Sequence, residues 1–130
     1  MKYKVVKRAN PQKRDEEMFY PSPILGEQVS EDQLTEEISF ASSVNQSDVR
    51  AVLLNLLEIL PRHLQRGNSV HLERFGIFRL SFQATGSQTE AAVSAKNITR
   101  PKILFRPSVK LRRKIAETSF IKEKDKEEEE

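Results

Sequence analysis

The residue types in this sequence that could do chemistry are mainly cations. Between residues 62 and 116 there are twelve lysines and arginines but only two acids, Glu73 and Glu90. Each of these cations can pair with a phosphate, and arginine can do so through two parallel hydrogen bonds. The candidates for phosphate contact within this cluster are Arg79, Lys96, Arg100, Lys102, Arg106, Lys110, Arg112 and Arg113.

The remaining charge is segregated along the chain. Residues 1–14 hold six bases and no acid, whereas residues 15–61 hold ten acids and a single base, Arg50. Residues 122–130 have the sequence K-E-K-D-K-E-E-E-E. This distribution predicts a basic surface on the second half of the fold and an acidic tail that competes for it. The alternative is that the charges only solvate separate faces and that the tail only aids solubility.

Enzymatic chemistry has little support in the sequence. The chain has no cysteine, which excludes a disulfide, a thiolate metal site and a cysteine nucleophile. His63 and His71 lie eight residues apart, with no third ligand or neighbouring nucleophile at useful spacing. There is also no glycine-rich phosphate loop. We therefore expect a non-enzyme with no catalytic residue, metal, cofactor or small-molecule substrate.

A hairpin and a returning strand must position most of the candidate cations. Apolar residues recur at period two around a corner formed by Phe75, Gly76 and Ile77, as in two half-buried strands: Val70, Leu72, Phe78, Leu80 and Phe82. Residues 83–95 are small and polar, so we expect them to project from the body or to be mobile. Residues 97–105 regain the strand pattern.

Two helices precede the hairpin. Ser30, followed by Gln33, has the spacing of a capping box and predicts a helix that runs to about Ser42. Asn45 is the expected cap of a second helix, which ends at Gly67-Asn68.

The second helix carries an apolar stripe from Val49 to Leu64 that is wider than one short helix needs. Such a surplus indicates burial on several sides or a dimer, since large exposed apolar patches are uncommon on soluble monomers. Pro61 removes one intrahelical hydrogen bond and predicts a bend near the last turn.

The two ends of the chain flank this body. Residues 3–6 are predicted to form a short strand, and residues 12–29 a connection that lies against the body. Pro107-Ser108 is expected to open a last helix in which Val109 or Leu111, together with Ile115, faces inward. Residues 120–121 are predicted to form a terminal strand before the charged tail.

The order of these elements resembles the bacterial histone-like HU and integration host factor family over roughly residues 30–118. The most specific motifs are R-F-G-I-F at residues 74–78 and F-R-P-S-x-K-L-R-R-K at residues 105–114, which follow an H-L-Q-R-G helix end at residues 63–67. The N-terminal strand, the P-S-P-I segment and the K-N-I-x-x-P-K-I-L-F strand are similar to the longer HU-like proteins of Bacteroidetes.

The resemblance implies an α+β, HU-like intertwined homodimer. Its helices would form the base, and a three-stranded antiparallel sheet would carry a protruding β-arm, with an extra N-terminal strand. The expected division is an N-terminal strand and linker at 1–29, the HU-like DNA-binding domain at 30–118, and a short terminal strand with the acidic tail at 119–130.

The resemblance also implies a partner, double-stranded DNA. Family members grip the minor groove with little sequence preference and often insert an arm-tip proline to kink the duplex. This sequence departs there, because residues 83–95 contain no proline and only one charged side chain, Glu90. We therefore expect phosphate binding by the body without strong kinking.

The predicted function is that of a non-enzymatic, architectural, nucleoid-associated bacterial protein that binds and condenses DNA. No apolar run approaches the roughly 18 residues that cross a bilayer, and the N-terminus lacks the apolar block of a secretory signal. The expected location is therefore the cytoplasm, at the nucleoid. The alternative function is a dimeric protein-interaction or scaffold module that has kept the HU-like fold but lost strong DNA bending.

Overall fold

The computed structural model describes residues 1–124 and has an α+β fold, as the sequence predicts. Its elements in chain order are β1 (Lys2–Ala9), β2 (Glu17–Pro23), α1 (Glu31–Ser42), α2 (Gln46–Gln65), β3 (Val70–Leu72), β4 (Gly76–Ala84), β5 (Ile98–Pro107), α3 (Val109–Ala116) and β6 (Ile121–Lys122). These strands form two three-stranded sheets, in the orders β2-β1-β6 and β3-β4-β5. Residues 125–130 of the predicted acidic tail, five acids and one lysine, lie outside the described residues.

The chain divides into two compact units. One comprises residues 1–29 and, among the described residues, 116–124, and therefore contains the sheet β2-β1-β6. The other comprises Ser30–Ile115 and contains α1, α2, the sheet β3-β4-β5 and most of α3. Within residues 1–124, no helix combines the length and the hydropathy that crossing a membrane requires.

Both predicted helix starts are confirmed. The Ser30 hydroxyl accepts a hydrogen bond from the Gln33 N–H at 3.1 Å, and the Asn45 side-chain oxygen accepts one from the Asp48 N–H at 2.9 Å. The return bond of the predicted capping box, from the Ser30 N–H to the Gln33 side-chain oxygen, is not formed among the described residues, and the Gln33 side-chain amide donates to the Glu37 carboxylate at 3.4 Å.

The end of α2 is set by Gly67, which has a φ of +85°. Its N–H donates to the Leu64 carbonyl at 3.0 Å, and the Asn68 N–H donates to the His63 carbonyl at 3.0 Å. These two bonds satisfy carbonyls that the helix end leaves unpaired, and the glycine adopts the left-handed conformation without a Cβ penalty. The predicted end at Gly67-Asn68 is therefore confirmed.

The apolar stripe of α2 is only partly covered within this single chain. Val49 and Leu64 are buried, but Val52 and Leu57 are 67% and 61% exposed. Phe40 on α1 is 94% exposed. The helices thus present more apolar surface than the described part of one chain buries.

The sheet β3-β4-β5 packs its aromatic residues on one face. Val70 lies opposite Phe78, which in turn lies opposite Phe105. The Phe78 and Phe105 ring centroids are 4.7 Å apart, and Phe75 adds a third ring 5.2 Å from Phe105. The predicted corner is wrong at two of its three residues, because Gly76 and Ile77 belong to the β4 ladder and only Phe75 lies in the turn.

Gly76 is required at the start of β4 because two neighbours occupy the space of a side chain. A Cβ at this position would overlap the Arg106 carbonyl and lie 2.5 Å from the Phe105 ring. The φ of Gly76 is +157°, which residues with a side chain rarely adopt. The close backbone approach expected for this glycine is confirmed.

The prediction that residues 12–29 form only a connection is wrong. Residues 17–23 form β2, which pairs antiparallel with β1 from Tyr3 opposite Pro23 to Ala9 opposite Glu17. The prolines at positions 21 and 23 argued against a strand, because proline lacks the N–H that a ladder needs. They are tolerated here because β2 lies at the edge of its sheet.

The last helix begins where the sequence predicts. The Ser108 hydroxyl accepts a hydrogen bond from the Leu111 N–H at 3.0 Å and so caps α3. Leu111 is half-buried, as predicted, whereas Val109 and Ile115 are 63% and 64% exposed. The inward orientation expected for Ile115 is therefore wrong within a single chain. The predicted terminal strand is present as β6, which pairs parallel with β1.

Candidate nucleic-acid interface

The pairing of β4 with β5 collects four of the eight candidate cations on one face of the sheet. Arg79 lies opposite Leu104 on β5, and the apolar residues Phe78 and Leu80 on either side of it point to the other face. The strand β5 contributes every second residue to the side of Arg79. We call these four cations the basic face: Arg79, Arg100, Lys102 and Arg106.

The pairing of β4 with β5 spaces the four cations along the length of these two strands. Arg79 is diagonal to both Lys102 and Arg106, a separation of about 7–8 Å between backbones. Six residue steps separate Arg106 from Arg100, which is about 20 Å at roughly 3.4 Å per step. Duplex DNA carries one phosphate per roughly 3.4 Å of axis on each strand, so this distance corresponds to about six phosphates. The basic face therefore matches an extended polyanion better than a single anion.

The cations of the basic face are exposed, and within residues 1–124 no acid neutralises them. None of them forms an ion pair within the described residues, where the ion pairs are Lys7–Glu17, Lys13–Glu16, Arg50–Asp32 and Arg62–Glu58. Glu73 lies near Arg106 at the rim of one depression but is not ion-paired with it. Because an exposed unpaired cation is already solvated, it can exchange water and counterions for a phosphate at little cost.

The helix α3 places a fifth candidate beside the basic face. Arg112 and Arg106 line one shallow depression together with His71 and Ile77. Arg106 and Arg79 line a second depression, which shares His71 and Ile77 with the first. The structure thus brings Arg79, Arg106 and Arg112 to one connected surface.

The other three candidates lie apart from these depressions. Lys110 and Arg113 are exposed on α3 but line neither depression. Lys96 lies in a short 3₁₀ turn, Ala95–Asn97, in the connection between β4 and β5. Among the eight candidate cations, Lys96, Lys110 and Arg113 therefore have the least structural support as phosphate contacts.

The connection between β4 and β5 is ordered by side-chain hydrogen bonds. The Asn97 amide donates to the Thr85 carbonyl and to the Ser87 hydroxyl, both at 2.9 Å, and its oxygen accepts the Ser94 N–H at 2.9 Å. Thr85 also donates its N–H to the Asn97 carbonyl at 2.8 Å. These bonds close the end of the β-arm without a proline at its tip.

Three polar residues on this side of the sheet were not among the sequence-based candidates: His71, Ser81 and Gln83. His71 lies opposite Ile77, so it shares the side of the sheet that carries Arg79 and Arg106. Its Nε2 lies 3.0 Å from the Ser69 hydroxyl. The signal was present in the period-two alternation, because Val70 and Leu72 point to the apolar side and His71 therefore to the other. No metal-binding cluster of acids and histidines is present among residues 1–124.

Comparison with solved structures identifies the fold. The chain superimposes on an inferred bacterial DNA-binding protein from Bacteroides vulgatus with a TM-score of 0.66 and 14% identity, covering 93% of this chain and 47% of that one. An HU–DNA cocrystal structure from Anabaena matches with a TM-score of 0.52 and 21% identity, covering 69% of this chain and all of that one. A mutant HU from Thermotoga maritima matches with a TM-score of 0.50 and 17% identity, covering 67% and 99%. This chain thus spans about half the length of the Bacteroides protein.

The HU part of these structures corresponds to roughly two thirds of the present chain, which agrees with the resemblance stated from the sequence motifs. A search of curated protein sequences finds no significant match. A family model described as an HU domain fused to a winged helix-turn-helix, immunoglobulin or glycine-rich motif matches residues 1–122. Because that match extends over nearly the whole chain and includes the N-terminal sheet, this protein belongs to the HU-HIG family.

Proposed function

We propose that this protein is a non-enzymatic, architectural DNA-binding protein that binds duplex DNA as a homodimer, largely without sequence preference. The observation that carries the proposal is the basic face, with four exposed cations that have no ion pair within residues 1–124, along about 20 Å of one β-ladder. The cocrystallised partner of the Anabaena HU structure is DNA, which supports the same ligand class. Such a role would place the protein in the cytoplasm, at the nucleoid.

Phosphate contact accounts for the weak sequence preference. Lysine and arginine that face phosphates fix the position of a protein on the duplex but carry no direct sequence information. The basic face carries its arginines and lysine beside apolar Ile77 and Leu104 and polar Ser81 and Gln83, and cations that contact phosphate add no direct sequence readout. Minor-groove binding by a β-arm needs only this combination of cations and shape.

The homodimer is supported by the apolar surface that one chain leaves exposed. Among the described residues, Val49 and Leu64 are the only buried apolar side chains. Burial of about 25 cal/mol per Å² of apolar surface is the main stabilising term in folding, so two such residues cannot hold together a domain of this size. A second copy packed on α1 and α2 would cover Phe40, Val52 and Leu57.

Bending of DNA should be weaker than a wedge-inserting arm produces. The residues at the end of the arm are small and polar, with Val93 as the one larger apolar side chain between residues 85 and 97. Proline at position 101 lies within β5, opposite Phe82, and not at the tip. We therefore propose that the arm follows the minor groove without strongly unstacking base pairs.

Titration of the purified protein against several unrelated duplexes tests this function. We expect similar affinity for each duplex at low salt and a steep loss at higher salt, since the binding energy comes from phosphate neutralisation. A correctly folded dimer that binds none of the duplexes at low salt would contradict the proposal. That result would favour the protein-interaction or scaffold function instead.

A further inference from the structure

A second group of cations lies on the sheet β2-β1-β6. It is separate from the basic face, which belongs to the sheet β3-β4-β5. Lys2, Lys4 and Arg8 are separated by even numbers of residues along β1, so all three lie on the same side of this sheet. Each of them is exposed. We call these three residues the N-terminal cation row.

The strands contribute no acid to this side of the sheet. The residues of β2 that share it are Met18, Tyr20 and Ser22, and β6 adds Ile121. Glu17 of β2 lies on the opposite side, where its carboxylate pairs with Lys7 at 2.8 Å. The N-terminal cation row thus has no ion pair within the described residues.

An aromatic ring positions the arginine of the row. The Arg8 guanidinium lies over the Tyr20 ring, 5.0 Å from its centroid. The attraction between a cation and an aromatic face restrains the Arg8 guanidinium there, and its N–H groups can donate to a phosphate. A cation beside an aromatic face is a recurring arrangement in nucleic-acid-binding sheets.

The opposite side of the same sheet has a different character. Tyr3, Val5, Phe19 and Pro21 lie there and, together with Phe120, line an apolar groove. Lys2 and Tyr20 also line this groove, and half-buried Val6 shares the side of the row, so that side carries its cations among apolar residues. Among the paired strands, the acid Glu17 lies on the side away from the row, so positive potential is concentrated on the side of the row.

We propose that the N-terminal cation row is a second phosphate-binding surface, which contacts the backbone of nucleic acid independently of the basic face. The row extends about 20 Å from Lys2 to Arg8 at roughly 3.4 Å per residue, so it also suits an extended polyanion. Glu123 follows β6, and its backbone N–H donates to the Tyr3 carbonyl at 2.9 Å. Its carboxylate forms no ion pair with the row within the described residues. For its ligand this inference rests on the proposed function.

The chain offers a matched control for testing the row. Lys7, Lys13 and Arg14 have the same composition, two lysines and one arginine, in the same unit. Lys7 lies on the apolar side and pairs with Glu17, and Lys13 pairs with Glu16 at 3.9 Å in the turn that precedes β2. Substitution of either trio by glutamine removes three positive charges, but only one trio belongs to the row.

The experiment compares full-length wild type, Lys2→Gln/Lys4→Gln/Arg8→Gln, and Lys7→Gln/Lys13→Gln/Arg14→Gln on one random duplex over a salt series. Removal of a cation that neutralises one phosphate should lower the log–log salt slope by about 0.9. We expect the row variant to neutralise about two to three fewer phosphates per protomer than the wild type, and its salt slope to fall accordingly. The control variant should retain nearly the wild-type slope. Circular dichroism confirms that both variants are folded.

Two results would overturn the inference while leaving the proposed function intact. One is a row variant whose DNA affinity and salt slope equal those of the wild type. The other is an equal loss of slope in the row and control variants, which would mean that only total charge matters. Absence of DNA binding by the wild type is a separate outcome, because it would contradict the proposed function itself. Chemical-shift changes at β1 amides when DNA is added provide a second, affinity-independent readout.

Discussion

The hydroxyl of Ser108 donates a hydrogen bond to the backbone carbonyl of Arg74, 2.9 Å away and 34 residues earlier in the chain. The same serine donates its N–H to the Phe75 carbonyl at 2.9 Å and accepts the Leu111 N–H at 3.0 Å. One residue therefore caps α3 and ties it to the turn between β3 and β4. This joint fixes Arg112 on α3 relative to Arg106 on β5.

Ser108→Ala should lower the free energy of unfolding by about 1–2 kcal/mol, because it removes a helix cap and leaves the Arg74 carbonyl without this donor. Urea denaturation measures the loss. Ser47→Ala is the control, since Ser47 is an exposed helical residue, and it should change stability by less than about 0.5 kcal/mol. Equal stability of the two variants would show that the joint does not contribute.

Gly76→Ala should destabilise the protein strongly. The new Cβ would overlap the Arg106 carbonyl and the Phe105 ring, which costs about 1–3 kcal/mol, and the unfavourable φ costs about 1–3 kcal/mol more. Gly86→Ala is the matched control, because no atom lies within 4 Å of its position. Thermal unfolding should show a much lower melting temperature for the first variant alone. Similar melting temperatures would contradict the described packing of β4 on β5.

Leu56→Ala should cost about 2–5 kcal/mol if a partner chain covers α2, the usual range for truncation of a buried leucine. Within one chain Leu56 is 40% exposed, so the single chain alone does not explain a loss of that size. Leu25→Ala, at a position that is 86% exposed, should be nearly neutral. Light scattering and concentration-dependent unfolding follow the dimer. A stable, well-folded monomer at micromolar concentration would exclude the homodimer.

Removal of residues 125–130 should tighten DNA binding, and more so at low salt than at high salt. This segment carries five acids and one lysine, and screening weakens its competition with DNA for cations. A tail of the same length made of serine and glutamine separates charge from length. If affinity at low salt is the same with and without the acids, the tail only aids solubility.

Local signals in the sequence predicted much of this fold. The helix caps at Ser30 and Asn45 and the helix end at Gly67 depend on neighbouring residues, so they could be placed from spacing alone. Alternation likewise predicted the apolar side of the hairpin. The strand β2 was missed because its two prolines are unfavourable in a ladder, and only the sheet order shows that they lie at an edge.

The candidate site was less accessible to sequence reasoning, because it depends on register. Composition identified the cationic segment, but the pairing of Arg79 with Leu104 decides that Lys102 and Arg106 flank it. Lys110 and Arg113 lie instead on α3, where they line neither of the two depressions. Candidate cations that look equivalent in the sequence thus lie on different parts of the surface.

The salt dependence of DNA binding by a double variant of the basic face tests the central claim most directly. Arg79→Gln/Arg106→Gln should weaken binding on every duplex and lower the log–log salt slope by about 1.8 per protomer if each arginine contacts one phosphate. Arg50→Gln/Arg62→Gln removes the same charge from arginines that are paired with Asp32 and Glu58, and it should leave the slope nearly unchanged. An unchanged slope for the Arg79/Arg106 variant, with folding and dimerisation intact, would contradict the assignment of the basic face as the DNA-binding surface.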